Sequence, residues 1–530
     1  MLTRNIKVYG EDADGWGGQI MATDLMEGDG TMREGYLIMD NVQVYNCSQK
    51  DTFKSAIRFD GAYGSSNTSS SITNCAVHNG LDWGLSILGS RNIKVHNSHF
   101  VGWRAVGVRI DTASNITFTD NFVGDVRRRK LNVLGMFIDK EACIAYGSYE
   151  SEKTGTVTRD MTFTGNTAAG CPFAGIIGPG EDCDENDPVQ FKNNIAHSID
   201  GYGIYAYANP ASTTASTCFS FGYATAYKTV QASIFAMPNT KLLKAHHLTA
   251  LDSQKGISLN TGGSEKDDVE IILSDSFFFG ETAANDCPSI AEGKCVCQQK
   301  YTFMNGQNMN DMKSLMPTGA SELPLYKSHG EGNWGGKITI NNCNFSKFQG
   351  LSACGEKSTL LASNPGSSDK IPPHFFNNCV LEDVDDNGFA FLIKPNPGWA
   401  NVKDCGNFPC TAPNNLIFSF AGTTWKGTTP TSTPEAFVVI PNEATVGGTY
   451  SSCVERPDQQ AYICEMDNIG MMMFENLDDD AWDRAIQPVF LLNAATGFNN
   501  TLNAMMDHIW DTFYTGQRRM ARFPTALATG

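Results

Sequence analysis

Cleavage of a glycosidic bond needs two carboxyl groups facing each other, and three aspartates with one histidine beside them are the candidates here for acid–base work. AVHNGLDW carries His78 and Asp82, Asp60 ends the run IRFD, and Asp111 ends GVRID. Asp60 and Asp111 stand at the same place in their local pattern, just after alternating apolar residues. Such a pair acts as acid and nucleophile at about 5–5.5 Å, or as acid and base at about 6.5–9.5 Å. Acids at a corner are usually solvated turn residues, and a lone histidine is usually structural. His78, Asp82, Asp60 and Asp111 therefore stand as catalytic candidates within a reading that leans toward no catalysis.

Metal chemistry has less support. The acidic clusters EDADG, GEDCDEND, EDVDDNG and NLDDDAWD invite calcium, and Asp383, Asp385, Asn387 and Gly388 match the first half of an EF-hand loop. Lys394 stands where that loop needs a bidentate glutamate, and FAFLI between them reads as a strand, so the EF-hand is rejected. No metal ligand set and no cofactor is expected, a loosely held surface calcium ion at one acidic turn being the one option kept. The 16 cysteines do not form the paired C-x-x-C arrangement of a zinc ribbon. Disulfides fit better. Cys405 and Cys410 close one short loop and Cys453 and Cys464 another, whereas Cys287, Cys295 and Cys297 have several choices, Cys183 and Cys218 among them. Cys75, Cys343 and Cys379 each follow a corner asparagine and suit buried thiols.

Two interlocked ladders position these residues. Short alternating runs end in a polar corner at Asn74, Asn97, Asn121, Asn166 and Asn194, with His247, Asp275, Asn342 and Asn378 continuing the series. Nine or ten residues after its corner, a glycine opens a second alternating run, as at Gly84, Gly107, Gly175, Gly203 and Gly256. Alternation signals strands with one buried face. A fixed order repeated at a solenoid period makes each strand pair with its counterpart in the next turn. The fold class is therefore all-β: a right-handed parallel β-helix over 1–425, with Asn74, Asn97 and Asn121 stacked at one corner. The linker-like KGTTPTSTPEA then leads into a smaller β-rich, sandwich-like segment over 426–530. LNAMMDHIWDTF has a helical apolar stripe at 502, 505, 506, 509, 510 and 513.

Charge and composition narrow the partners. A net charge of −18 repels nucleic acid and anionic membrane surfaces. Direct membrane insertion is not expected, because no stretch approaches the roughly 18 apolar residues of a span. Sequons at Asn46, Asn67, Asn115, Asn344 and Asn499, together with an even cysteine count, point to an oxidising, extracellular setting and to N-linked sugar. Met1 runs directly into LTRNIKVYG without the pattern of a signal peptide, so the chain reads as an excerpt of a longer secreted protein.

The order of these segments resembles the fibrocystin and fibrocystin-like family, large cell-surface proteins whose extracellular parts carry parallel β-helices. LTRNIKVYGEDADGWGG resembles the family's first strand, and SSSITNCAVHNGLDWGLSILGSRNIKVHNSHF its paired turns. CPFAGIIGPGEDC through FKNNIAHSIDGYGIY looks like the next turns, and SCVERPDQQAYICEMDNIGMMMFENLDDDAWDRAIQPVFL with DHIWDTFYTGQRRMARF like the β-rich segment that follows. In the family's version of this last motif two cysteines occupy the places of Asp511 and Gly516, and their joint loss is what a vanished disulfide leaves. The resemblance makes 502–513 a loop between strands, and both ends look cut. It implies a non-catalytic glycoprotein rod in a cell-surface or ciliary coat or filament, with other domains of the same chain, a second copy or a glycan as partners. Two alternatives are kept: a hyaluronidase-like enzyme, which related hyaluronan-depolymerising proteins suggest, and, from another class, a glycan-binding module without turnover.

Overall fold

The computed structural model describes residues 6–128 except 12–14, 51, 53 and 65–68, then 141–147, 158–178, 181–183, 190–208, 218–238, 242–253, 256–259 and 270–280. It further describes 337–348, 374–384, 418–427, 436–441 and short strands lying between residues 312 and 525. The chain falls into two units, Met1–Ile257 and Ser258–Gly530.

In the first unit three strands per coil join three parallel sheets. One sheet includes Ile57–Asp60, Leu85–Leu88, Val106–Asp111 and Ala142–Tyr146; the second Ser70–Thr73, Arg91–His96, Ser114–Thr119 and Arg159–Thr164; the third Val42–Tyr45, Ala76–His78, His99–Arg104 and Phe122–Arg127. Alternation decides which side chains enter the core, because successive residues of a strand point to opposite faces. Identical register from coil to coil then stacks like on like. Ile57, Leu85, Val108, Ile144, Ile176, Ile204 and Ile234 form one inward column. Ile72, Val95, Phe118, Phe163 and Phe191 form another. Within it the rings of Phe118 and Phe163 lie 5.6 Å apart and those of Phe163 and Phe191 5.5 Å apart. Each residue in a column buries its neighbours' side chains as well as its own, and burial of one such side chain contributes about 1.5–3 kcal/mol.

Corners are made by residues with left-handed backbone angles, which asparagine and aspartate tolerate best after glycine. Asn74 (φ 54°), Asn97 (46°), Asp120 (55°), Gly165 (70°) and Asn193 (57°) share one corner. Asn97 Nδ2 donates to Asn74 Oδ1 at 2.7 Å, so the expected asparagine stack exists for these two. Asn121 is not its third member. The coil from Asn97 closes at Asp120, and Asn121 takes the next, inward position alongside Asn166 and Asn194. There Asn121 Nδ2 donates to Asn166 Oδ1 (3.2 Å) and Asn166 Nδ2 to Asn194 Oδ1 (3.1 Å). These amides are buried and also bond backbone: Asn166 Nδ2 to the Phe118 carbonyl and Asn194 Nδ2 to the Phe163 carbonyl, both at 2.9 Å. Two adjacent ladders, one exposed and left-handed and one interior, thus replace the single ladder read from the sequence.

The glycine ladder has a steric cause. A Cβ on Gly84 would stand 2.5 Å from the Gly107 carbonyl oxygen of the next coil, and one on Gly175 2.6 Å from that of Gly203. Only a residue without Cβ lets consecutive coils close there.

In the second unit Glu270–Ser274 pairs in parallel with Lys337–Asn341, which pairs with His374–Asn377, which pairs with Phe418–Ala421. Phe277–Phe279, Asn344–Ser346, Val380–Glu382 and Thr424–Lys426 form a second such series. After Lys426 the sense changes: Phe437–Pro441 runs antiparallel to Phe418–Ala421 and to Ala461–Glu465. Residues 502–513 lie outside the described ones.

Candidate functional site

Asp60 and Asp111 are brought to one face of one sheet. In Ile57–Asp60, Ile57 and Phe59 point into the core and are fully buried, which leaves Arg58 and Asp60 on the outer face. Val106–Asp111 repeats the arrangement with Arg109 and Asp111. The strand Leu85–Leu88 lies between them, aligning Arg58 with Ser86 and Arg109, and Asp60 with Leu88 and Asp111. Two strand spacings, about 9.6 Å, therefore separate the two aspartate backbones.

Each carboxylate is engaged by the arginine two residues earlier in its own strand. Arg58 Nε donates to Asp60 Oδ2 at 3.0 Å, and Arg109 Nη2 to Asp111 Oδ2 at 3.3 Å. The environments differ: the Asp111 and Arg109 side chains are each 6% exposed, whereas Asp60 is 40% exposed. Thr112 Oγ1 adds a hydrogen bond to Asp111 Oδ1 at 2.9 Å, and the Arg109 guanidinium lies 5.3 Å from the Trp83 ring centre. An acid–base pair has to present carboxyl oxygens to a substrate. Here Oδ2 of each aspartate is directed along its own strand to a guanidinium.

The other two candidates sit elsewhere. His78 ends Ala76–His78 on a different sheet, its Nε2 accepting from Gln43 Nε2 at 2.8 Å and its ring stacked on Tyr45 at 5.7 Å. Tyr45 stacks in turn on Tyr9 at 5.3 Å. Asp82 is buried in the turn between Ala76–His78 and Leu85–Leu88, where its Oδ2 accepts from the Thr52 backbone N–H at 3.2 Å. Ser48 Oγ accepts from the Leu81 and Asp82 N–H groups at 2.9 and 2.8 Å, so Asp82 ties two coil turns together.

The acidic EF-hand-like stretch is described only at its start: Asp383 occupies a left-handed corner (φ 50°) and is ion-paired with Lys347. Asp385, Asn387, Gly388 and Lys394 lie outside the described residues. Among the described residues no group of three or more His, Cys, Asp and Glu side chains is placed to hold a metal ion.

Of the sequons, Asn115 is exposed at a corner (φ 51°), and its Nδ2 donates to Asn92 Oδ1 at 2.6 Å. Asn46 and Asn344 are half-buried, and their sequon serines, Ser48 and Ser346, are buried. Asn67 lies outside the described residues, and of Asn499 only the backbone, in the strand Asn499–Thr501, is described.

Cys143 is bonded to Cys171 and Cys183 to Cys218. The first pair was missed by sequence reasoning; its separation of 28 residues, one coil of this solenoid, was the available signal. The second takes Cys183 and Cys218 away from Cys287, Cys295 and Cys297, which lie outside the described residues, as do Cys405 and Cys410. Cys464 is disulfide-bonded and stands directly across the antiparallel register from Cys453. Cys47, Cys75, Cys343 and Cys379 are buried. Burial, with the neighbouring Cys379 second, pushes the Cys343 thiol far above its usual range, and burial pushes Cys379 up to about 11. These are core fillers rather than nucleophiles, since the thiolate is the reactive form.

Residues 32–220 match the family described as the right-handed β-helix region. Human fibrocystin-L is 24% identical over 601 aligned residues, covering 100% of this chain, and mouse fibrocystin-L is 22% identical over the same span. The chain spans 13% of the length of these relatives. Among solved structures, PfbA, a surface adhesin of Streptococcus pneumoniae, is 10% identical, covers 77% of this chain and 84% of its own, and aligns with a TM-score of 0.28. A likeness that loose carries no argument. No helix among the described residues is long and apolar enough to cross a membrane. Along its whole length the chain is similar to fibrocystin-L, and its coils stacked in parallel register are those of a parallel β-helix.

Proposed function

We propose that the chain is a non-catalytic extracellular glycoprotein segment, its stacked coils serving as a stiff structural and recognition scaffold in a cell-surface or ciliary coat or filament. The observation that carries this reading is the repeated Arg-x-Asp pairing. Asp60 and Asp111, the carboxylates best placed for chemistry, each direct an oxygen to an arginine of their own strand. Disulfides in the first unit support a secretory route, because such bonds persist in oxidising compartments. Relatives far longer than this chain support neighbouring domains of one polypeptide as partners, with self-assembly or a glycan as further ones. Turns repeated along a solenoid suit binding of this kind.

Incubation with acidic and neutral polysaccharides, with and without calcium, tests the proposal by following chain length and column retention together. Unchanged length and retention are expected of a scaffold. Retention without shortening would make the chain a glycan-binding module. Shortening that is abolished by Asp111→Asn or His78→Ala in a protein that still folds would make it a polysaccharide-cleaving, hyaluronidase-like enzyme.

A further inference from the structure

Adjacent residues of a strand normally point to opposite faces. The strand Leu242–Leu251 breaks this rule at His247, whose φ of 50° turns the chain at a corner. The rings of His246 and His247 consequently meet on one side, 85° apart, with their Nδ1 atoms 3.2 Å from each other. Each ring is held from outside. His246 Nε2 lies 3.2 Å from Ser220 Oγ on the neighbouring strand, and Tyr223, itself at a left-handed corner (φ 48°), stacks on His247 with ring centres 4.4 Å apart. Opposite His246 the neighbouring strand has Gly222, where a Cβ would overlap the Cε1 and Nδ1 atoms of the imidazole.

We propose that His246 and His247 form a binding site for a late first-row divalent metal ion. Imidazole nitrogens ligate zinc at about 2.0–2.1 Å, and two nitrogens 3.2 Å apart then subtend about 100° at the ion, close to the tetrahedral or cis angle of one coordination sphere. With its proton on Nε2, His246 donates to the Ser220 hydroxyl 3.2 Å away and keeps the Nδ1 lone pair toward its neighbour, the outer-sphere arrangement that fixes a ligand's tautomer. Without metal the two Nδ1 atoms share one proton in an N–H···N bond; metal binding moves that proton to His247 Nε2, so that each neutral ring binds through Nδ1 and keeps its proton on Nε2. Both protein ligands being nitrogen, the site favours copper over zinc and nickel. The remaining positions go to water or to a donor from a bound molecule.

Titration of the full chain with copper sulfate, read by calorimetry and by electron paramagnetic resonance, tests the site. One copper ion held by two imidazole nitrogens is expected, with affinity falling at least tenfold in both His246→Gln and His247→Gln and unchanged in His197→Ala. In the unaltered protein, zinc should protect His246 and His247 from diethyl pyrocarbonate, read by peptide mass spectrometry, more than the other seven of its nine histidines. Copper affinity that survives both substitutions, a spectrum without two imidazole nitrogens, or zinc protection centred on other histidines would overturn the proposal. Should either variant fail to fold, the protection pattern of the unaltered protein decides alone.

Discussion

At the scale of single residues, Asp60 and Asp111 share a sequence pattern but not an environment. An exposed ion pair contributes about 0–1 kcal/mol because water screens it. A buried one is costly to break, at about 3–5 kcal/mol, because the surviving charge stays behind in the interior. Asp111→Ala removes the carboxylate partner of Arg109, whose side chain is 6% exposed, and should destabilise the first unit by several kcal/mol in urea unfolding. Asp60→Ala acts on a side chain that is 40% exposed and should cost about 1 kcal/mol or less. Equal losses from the two substitutions would contradict the burial argument. The Arg-x-Asp spacing was written in IRFD and VRID; which pair is covered was not, because cover comes from chain distant in sequence.

At the scale of elements, the strands were legible because burial in a solenoid follows strict alternation, and the glycine ladder because only glycine admits the facing carbonyl. The corners were legible by type but not by position. Asn97 and Asn121 look equivalent, yet the coil between Asn97 and Asp120 is 23 residues long, and one further residue moves an amide from the surface into the core. Tyr223 and His247 also occupy left-handed corners, where coil stacking overrides local preference. Among the sequons whose side chains are described, exposure at a corner makes Asn115 the one most suited to carry a glycan, and a glycosylated Nδ2 keeps one N–H for Asn92. Glycopeptide mapping of protein from a secreting host should find sugar at Asn115 and none at Asn46 or Asn344. Non-reducing peptide maps of the same material should join Cys453 to Cys464, and a Cys464 bonded elsewhere would refute that pairing.

The interior thiols belong to this scale as well, since they follow the corner in successive coils. The folded pKa values of Cys343 and Cys379 are raised, so the stability these two contribute is fully present below the unfolded thiol value of about 8.5. It declines as pH rises beyond that point, and for Cys379 the loss is complete once pH passes about 11, where the folded thiol ionises. Native protein should therefore resist thiol reagents at these positions near neutrality. Cys379→Ala should flatten the fall of stability between pH 8.5 and about 11 relative to the parent. An unchanged slope would mean that Cys379 is not ionising in that window.

At the scale of the whole molecule, each repeat in a solenoid touches only its neighbours, so a coil should be removable as a unit. Residues 98–120 form one coil of the first unit. Ala76 faces His99, which faces Phe122; Leu85 faces Val108, which faces Ile144; and Val95 faces Phe118, which faces Phe163. Excision of 98–120 sets Phe122 beside Ala76, Ile144 beside Leu85 and Phe163 beside Val95, with every inward residue still inward. The removed coil takes Trp103 with it. Because a Cβ on Gly80 would overlap that ring, its loss leaves a void, and voids of this kind cost a few kcal/mol. The shortened protein should melt cooperatively at a lower temperature with its β-sheet circular dichroism retained. Removal of only 98–108, less than one coil, joins Asn97 to Arg109 and sets Ile110 and Asp111 where the outward His99 and the inward Phe100 stood, so the inward and outward faces exchange and folding should be abolished. If the half-coil deletion folds as well as the full one, register between coils does not specify this structure.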